Sequence, residues 1–276
     1  MHGVEHALDG SGLGWSGLDR SGGQDEGEDG GDHANVLVLF RSGRKRSRGI
    51  TPRREMESQN RTSPPQPDAL FRPMPLRSLF ATQVYEASLA ETRGWAELHE
   101  ELLDLCLVMA EEDEAGIEWC RANHYPGYTS YGSINDLPQR FPEFAELKKL
   151  LDKHAASFAE SLHFDLAKKL RLDNLWVNVL MPGGGHTGHI HPHAVLSGTI
   201  YIHIPDGASS LKIEDPRLAM MMARPGLTPE AGEAEQPFVY LKPAPGTVLM
   251  WESWLRHEVP ANRAEEQRIS ISFNYA

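Results

Sequence analysis

Cysteine is scarce in this chain of 276 residues, which holds only Cys106 and Cys120. Two cysteines are too few for a disulfide scaffold, so we expect a reducing, cytoplasmic setting. No uninterrupted apolar stretch approaches the roughly 18 residues of a membrane span. Gly and Asp also interrupt the N-terminus where a secretory signal needs an apolar run. The sequence therefore predicts neither a secreted nor a membrane protein.

The chain also lacks an excess of basic residues, since its formal net charge is -12. Residues 1–69 hold 11 acidic and 9 basic side chains, whereas residues 70–276 hold 28 acidic and 18 basic ones. Neutralising nucleic-acid phosphates requires a basic surface, so this balance argues against a nucleic-acid partner. The charge does not identify the substrate.

Residues 1–69 lack the apolar periodicity of a folded domain. Ten glycines fall within residues 1–33, and residues 41–54 form a basic run. This composition predicts a disordered N-terminal extension, although the basic run is also compatible with a tether to nucleic acid or membrane. A further interpretation is leader sequence from an upstream start codon, with Met56 as an alternative start.

The folded domain is expected over residues 70–276, with a helical part to about residue 172. Residues 71–85 are strand-like, because Pro73 and Pro75 break any helix. Apolar residues recur at helical spacing over 95–109 and again over 144–162. Each of these two segments therefore predicts an amphipathic helix.

Short strands dominate from about residue 173 to residue 276. The predicted strands cover residues 175–180, 196–204, 211–213, 238–241, 247–251 and 268–275. Helices followed by closely spaced strands with Gly and Pro turns predict an α+β fold, in which helices support a β sandwich or barrel. Residues 216–237 show no pattern and form a long excursion, which is a candidate lid.

Four histidines lie within eight residues directly after the glycine turn 183–185, namely His186, His189, His191 and His193. In a strand, residues two apart point to the same face, so His189 and His191 can converge on one ion. Neutral imidazole suits zinc, copper, iron or nickel. Packing does not readily explain four histidines in this position, so the pattern favours a metal site over a coincidental cluster.

A third metal ligand is predicted at His257, which follows a turn, a strand and an aromatic rim. Alone it would be an ordinary loop histidine, but with His189 and His191 it completes a facial set of three. Arg268 and Ser270 then open the last strand and share one face, where a guanidinium can grip a carboxylate with two donors. The alternative for Arg268 is a strand-edge arginine paired with Glu265 or Glu266.

Seven short segments of the domain share their pattern with a known family. They are Trp176–Asn178, His189–Pro192, Leu196–Tyr201, Glu214–Arg217, Pro245–Gly246, Ser253–His257 and Arg268–Asn274. These segments resemble the 2-oxoglutarate/iron(II) oxygenases of bacteria and phages. The likeness begins near Leu79 and covers no part of residues 1–69. It implies a double-stranded β-helix (jelly-roll) core with N-terminal helices.

The resemblance also implies site residues and an oxidative reaction. His189 would be the first iron(II) ligand and His257 the distal one, while Arg268 with Ser270 would bind the far carboxylate of 2-oxoglutarate. O2 would be the second co-substrate. Most such oxygenases carry Asp or Glu two residues after the first histidine, and this chain has His191 there. The third ligand is therefore either His191 or water.

Three further residues are expected to line the pocket for the co-substrate. Trp176, Asn178 and Tyr201 lie on predicted strands whose faces should point inward, and ordinary core packing is the alternative for each. The substrate itself is not disclosed, with a small molecule and a peptide side chain both open. An open sheet edge could support a homodimer.

Two other functions remain open at this point. A cupin-like metalloprotein shares the same barrel, and Gly183 followed by His189 and His191 matches the start of a cupin motif. Val195 and Leu196 stand where the cupin glutamate belongs. Such a protein would be an isomerase or an oxygenase without a co-substrate. The second alternative is a non-catalytic module that binds a metal or ligand.

Overall fold

The computed structural model describes residues 76–276. The predicted disordered extension over residues 1–69 lies outside the described residues, as do residues 71–75 of the strand-like segment. Within the described part, no helix is long and apolar enough to cross a membrane.

Within residues 76–276, four helices precede most of the β structure. They are α1 (Trp95–Glu112), α2 (Glu114–Ala122), α3 (Leu137–Arg140) and α4 (Pro142–Ser161). One stripe of α1 is buried, with Leu98, Leu102, Cys106 and Met109 at spacings of three and four residues. This stripe packs against the sheet and the buried face of α4, because an amphipathic helix is stable only when its apolar face is covered.

In the described part of the chain, ten strands form two antiparallel sheets. They are β1 (Val84–Ser88), β2 (Gly127–Thr129), β3 (Leu172–Leu180), β4 (His186–His189), β5 (Leu196–His203), β6 (Leu211–Glu214), β7 (Phe238–Leu241), β8 (Thr247–Glu252), β9 (His257–Val259) and β10 (Arg268–Tyr275). The larger sheet has the order β1-β8-β5-β10-β3-β2, and the smaller one β4-β9-β6-β7. This arrangement, with the structural comparison given below, confirms the predicted jelly-roll core.

The register of the larger sheet decides which residues face the interior of the jelly roll. Ser270 on β10 lies opposite Asn178 on β3 and Tyr201 on β5. Since strand side chains alternate, Arg268 and Ser272 share that face with Ser270. The other face of β10 carries Ile269, Ile271, Phe273 and Tyr275, which are buried in the core that includes the helices.

Several elements differ from the sequence-based expectation. The strand expected over residues 71–85 begins only at Val84. The helix α2 and the strands β2, β4 and β9 were not predicted, and each of these three strands has only three or four residues, too few to show a periodic pattern. In the excursion over residues 216–237 the regular structure consists of two 3-10 turns. None of its residues lines the cavity described below, so no cavity contact supports a lid there.

Candidate metal centre and adjoining cavity

Two of the clustered histidines converge with His257 at the end of the smaller sheet. His189 on β4 is the cross-strand partner of His257 on β9, and their ring centres are 4.4 Å apart. The ring of His191 lies 5.2 Å from both. One nitrogen from each of the three residues falls within 4.8 Å of the others. These distances suit three imidazoles around one ion.

His191 reaches this position without being part of a strand, which corrects the expectation that it shares a strand face with His189. β4 ends at His189. The backbone N–H of His191 instead donates to the carbonyl of Ser253 at 2.9 Å, in the turn that follows β8. A loop held by this bond brings His191 to the other two rings.

Hydrogen bonds fix which nitrogen the rings of His189 and His257 present. Nδ1 of His189 lies 2.7 Å from the carbonyl of Thr187, and Nδ1 of His257 lies 2.9 Å from that of Leu255. A carbonyl can only accept, so Nδ1 carries the hydrogen and Nε2 keeps a free lone pair. Nε2 of His191 is buried with no hydrogen-bond partner in the described part. The free nitrogens fit a metal ion, because ligating histidines commonly donate their other N–H to a carbonyl.

Burial keeps the imidazoles of His191 and His257 neutral. Burial is the main reason that the pKa of His257 falls to about 3 and that of His191 to about 4, and the neighbouring His189 contributes to both shifts. Burial likewise lowers the pKa of His186 to about 4. A metal ligand must be deprotonated, so at neutral pH His191 and His257 are already in the binding form. The three converging histidines include no carboxylate, so they would not neutralise any of the charge of a bound divalent ion.

A cavity of about 640 Å³ opens beside the three histidines and contains every residue that the sequence assigned to the site. Arg268 lies in it with 2% of its surface exposed, and its Nε has no hydrogen-bond partner in the described chain. Its NH1 donates to the Ser270 hydroxyl at 3.5 Å. Burial lowers its pKa, since a guanidinium is poorly solvated here.

No described carboxylate forms an ion pair with Arg268. Glu266, a pairing partner considered from the sequence, contacts Nε2 of His203 at 3.3 Å instead. A buried cation without an anion is costly, so this position is suited to an anionic ligand. The alternative of an edge arginine paired with a glutamate is wrong.

Tyr201 and Trp251 bring two further unpartnered polar groups to the cavity. The Tyr201 side chain is fully buried, and its hydroxyl has no partner among residues 76–276. The indole Nε1 of Trp251 has none either, and the Trp251 ring lies 4.6 Å from that of His257. Trp251 was not assigned from the sequence, because its orientation depends on pairing between β8 and β5.

Asn178 faces the cavity but already uses its amide. Its Oδ1 accepts from the hydroxyls of Thr129 and Tyr125 at 3.0 and 3.2 Å, and its Nδ2 donates to Ser272 at 3.1 Å. The Tyr125 hydroxyl also lies 2.6 Å from Nε2 of His186. The pairing of β2 with β3 brings Tyr125 here, so only the tertiary structure reveals it. Direct binding of the co-substrate by Asn178 stays a prediction.

Aromatic rings form one wall of the cavity and lead from the histidines towards solvent. Trp176 stacks on His191 with ring centres 5.9 Å apart. Tyr131, which is largely exposed, meets Trp176 edge-on at 5.3 Å and Trp119 at 6.3 Å. A substrate that approaches the histidines along this wall therefore meets ring faces first.

The β core of the chain is similar to a known protein family. The family described as "Putative 2OG-Fe(II) oxygenase" matches residues 174–274, which hold all three histidines and Arg268. No curated protein matches the chain. The match to an oxidoreductase of the 2OG-Fe(II) oxygenase family from Burkholderia pseudomallei has 18% identity and a TM-score of 0.36. It covers 49% of this chain and little more than half of that one, 57%.

Two further solved structures cover more of the chain. A prolyl-4-hydroxylase from Pseudomonas putida matches at 13% identity and a TM-score of 0.50, over 70% of this chain and 92% of that one. EctD from S. alaskensis, solved with 2-oxoglutarate and 5-hydroxyectoine, matches at 14% identity and a TM-score of 0.49, over 70% and 72%. At such low identity the hydroxylase shows the fold alone. The family match to residues 174–274 agrees with this fold, so the β core of this chain is similar to the 2-oxoglutarate/iron(II) oxygenases.

Proposed function

We propose that this protein is a dioxygenase that uses iron(II), 2-oxoglutarate and O2 to hydroxylate a substrate. The observation that carries the proposal is the buried Arg268, which has no described carboxylate partner and faces the same cavity as three converging histidines. A metal site alone would not need this cation. An anionic ligand that also binds the metal would need the cation of Arg268 as well as the histidines.

His189, His191 and His257 are the proposed iron ligands. One ring nitrogen from each lies within 4.8 Å of the others, and hydrogen bonds to Thr187 and Leu255 orient two of the rings. The proximity of His191 to the other two favours three histidines over two histidines and water. When bound, iron(II) and 2-oxoglutarate supply the oxidative chemistry, in which O2 is consumed and the 2-oxo acid becomes succinate and CO2.

Arg268 is the proposed anchor for the far carboxylate of 2-oxoglutarate. Its guanidinium carbon lies 5.0 Å from the centre of the Tyr201 ring, which supports the cation on one side. The unpartnered Nε and the Tyr201 hydroxyl leave donors for carboxylate oxygens. Ser270 adds a hydroxyl on the same strand face. Removing water from this closed end strengthens such charge-assisted bonds.

The outer cavity favours a substrate that is uncharged or cationic where it enters. Arg268 is the one Lys or Arg among the described lining residues, and Asp173 is the one Asp or Glu. Once 2-oxoglutarate neutralises Arg268, no lining cation remains for a substrate anion. Ring faces such as that of Tyr131 attract cations and apolar groups. A peptide side chain and a small neutral or basic molecule both fit this description.

Metal analysis and turnover on protein purified without oxygen test the proposal. We expect one iron-class ion per chain and conversion of 2-oxoglutarate to succinate, measured by mass spectrometry. In the presence of an inert divalent metal, 2-oxoglutarate should also raise the melting temperature. Metal binding without affinity for 2-oxoglutarate would contradict the proposal and support a cupin-like protein. Absence of metal would support a non-catalytic module.

A further inference from the structure

Trp251 carries a buried hydrogen-bond donor that the protein leaves unused. The residue lies on β8 with 2% of its surface exposed, and its indole N–H has no partner within residues 76–276. An indole nitrogen can only donate. Because most buried polar groups in native proteins are partnered, an orphan of this kind calls for a ligand atom that accepts.

The immediate neighbours of Trp251 do not supply that acceptor. Its cross-strand partner is Ser197 on β5. The Ser197 hydroxyl already bonds to Ser253 Oγ and Asn274 Oδ1, both at 2.7 Å. The neighbouring His257 ring keeps its Nδ1 hydrogen on a backbone carbonyl. We therefore expect the acceptor for the indole N–H in the cavity that Trp251 lines.

The position of Trp251 connects the two ends of the cavity. At one end its ring lies 4.6 Å from His257. Along β5 its partner Ser197 and Tyr201 share one strand face, and Tyr201 lies beside Arg268. A ligand that reaches from the histidines to Arg268 must pass along this face. Both carboxylates and the keto group of 2-oxoglutarate are acceptors.

We infer that Trp251 is a further co-substrate-binding residue, whose indole N–H donates a hydrogen bond to an oxygen of bound 2-oxoglutarate. The inference rests on the proposed function and adds a ligand-specific donor to it. Trp251 does not bind the metal, because its nitrogen lone pair is part of the aromatic ring. It complements Arg268, which supplies the charge.

The experiment compares Trp251→Phe with Trp254→Phe in the zinc-loaded full chain. Phenylalanine keeps an aromatic ring in the core but removes the N–H, and Trp254, 48% exposed, is the control. Calorimetric titration with 2-oxoglutarate should show about ten- to a hundredfold weaker binding for Trp251→Phe, as expected for one lost bond to a charged group. Zinc affinity should be unchanged in both variants, and 2-oxoglutarate affinity unchanged in Trp254→Phe.

A spectroscopic measurement on wild type tests the same hydrogen bond in a chain whose fold no substitution has disturbed. The chain has six tryptophans, and the indole N–H signal missing from the proton–nitrogen spectrum of Trp251→Phe identifies that of Trp251. Adding 2-oxoglutarate to the zinc-loaded wild type should move this signal downfield, as a new hydrogen bond requires.

The outcomes separate this inference from the proposed function. If wild type binds 2-oxoglutarate while Trp251→Phe binds it equally well and the signal stays in place, the role of Trp251 is refuted and the oxygenase proposal stands. If Trp251→Phe loses zinc together with 2-oxoglutarate, Trp251 only supports His257 and the inference is also refuted. If zinc-loaded wild type does not bind 2-oxoglutarate, both proposals fall.

Discussion

The guanidinium of Arg268 faces the ring of Tyr201 at 5.0 Å, and both side chains are almost fully buried. The Tyr201 hydroxyl and Arg268 Nε have no hydrogen-bond partners in the described part of the chain. Register places the two residues on neighbouring central strands, since Tyr201 lies opposite Ser270. The pair forms the closed end of the cavity, with its polar atoms available to an anion.

Replacing Arg268 should separate co-substrate binding from metal binding. Removing one partner of a buried charge pair costs about 3–5 kcal/mol, which corresponds to two or more orders of magnitude in affinity. We expect Arg268→Ala to raise the 2-oxoglutarate concentration needed for turnover by at least that factor, with metal content nearly unchanged. Arg268→Lys should recover only part, because an ammonium lacks the two-pronged fork. Titration of 2-oxoglutarate in the succinate assay measures this.

Arg263 is the matched control for Arg268. It lies exposed in the loop between β9 and β10 and should have little effect when replaced by alanine. Loss of 2-oxoglutarate binding in Arg263→Ala but not in Arg268→Ala would move the anchor to that loop. Wild-type behaviour of both variants would remove the main support for a 2-oxoglutarate site.

The three histidines should differ in their tolerance of substitution. His189→Ala and His257→Ala should each lose the iron-class ion, because a single remaining pair of imidazoles binds weakly. His191→Ala should weaken binding strongly if three histidines coordinate the ion. His191→Asp should retain it, since a carboxylate there restores the two-histidine, one-carboxylate triad. Metal content after dialysis, measured by elemental analysis, decides each case.

His193 provides the control for the histidine series. It also lines the cavity but is exposed and is not among the three converging residues. His193→Ala should therefore keep wild-type metal content. The assignment of the centre is wrong if His189→Ala and His257→Ala both hold the ion as wild type does.

Asn178 should act by holding the cavity wall in place. Its amide atoms bond to Thr129, Tyr125 and Ser272. Asn178→Ala removes these hydrogen bonds from the cavity wall, at a cost of about 1–3 kcal/mol. We expect a lower melting temperature together with weaker 2-oxoglutarate binding. A variant of unchanged stability whose 2-oxoglutarate affinity alone falls would show direct binding by Asn178 instead.

Asp113 should contribute to stability and leave the site unaffected. It caps α2 by accepting from the backbone of Gly116, and the hydroxyls of Tyr128 and Ser133 also donate to it. Asp113→Ala should lower the unfolding free energy by about 1–3 kcal/mol without changing metal affinity. Chemical denaturation measures this. Asp104→Ala, an exposed change within α1, should have little effect.

The contribution of Asp113 should also depend on pH. Burial raises the pKa of this carboxyl, but the hydrogen bonds from Ser133, Gly116 and Tyr128 outweigh that effect and hold it below its usual value. A depressed folded pKa means stability that is complete above the unfolded pKa, about 4, and lost as pH falls further. The stability difference between wild type and Asp113→Ala should therefore shrink below about pH 4. A difference that stays constant down to pH 2 would contradict this.

The sequence by itself determined the chemistry of the site and most of the longer strands. Glycine turns and β-rich runs located β3, β5, β8 and β10, because strands of six to nine residues give a clear pattern. Two-residue alternation placed Arg268 and Ser270 on one face. The histidine cluster and His257 supplied the ligand types. These features depend on residues close together in the chain, where local geometry suffices.

The tertiary structure alone decided which groups meet and which remain unpaired. The convergence of His191 with His189 and His257 depends on its bond to Ser253, 62 residues away, and on the pairing of β4 with β9. The lack of a described carboxylate partner for Arg268 and the free N–H of Trp251 are properties of a whole cavity wall built from several strands. Such long-range pairings leave no periodic signal in the sequence, because each depends on register and packing between distant segments.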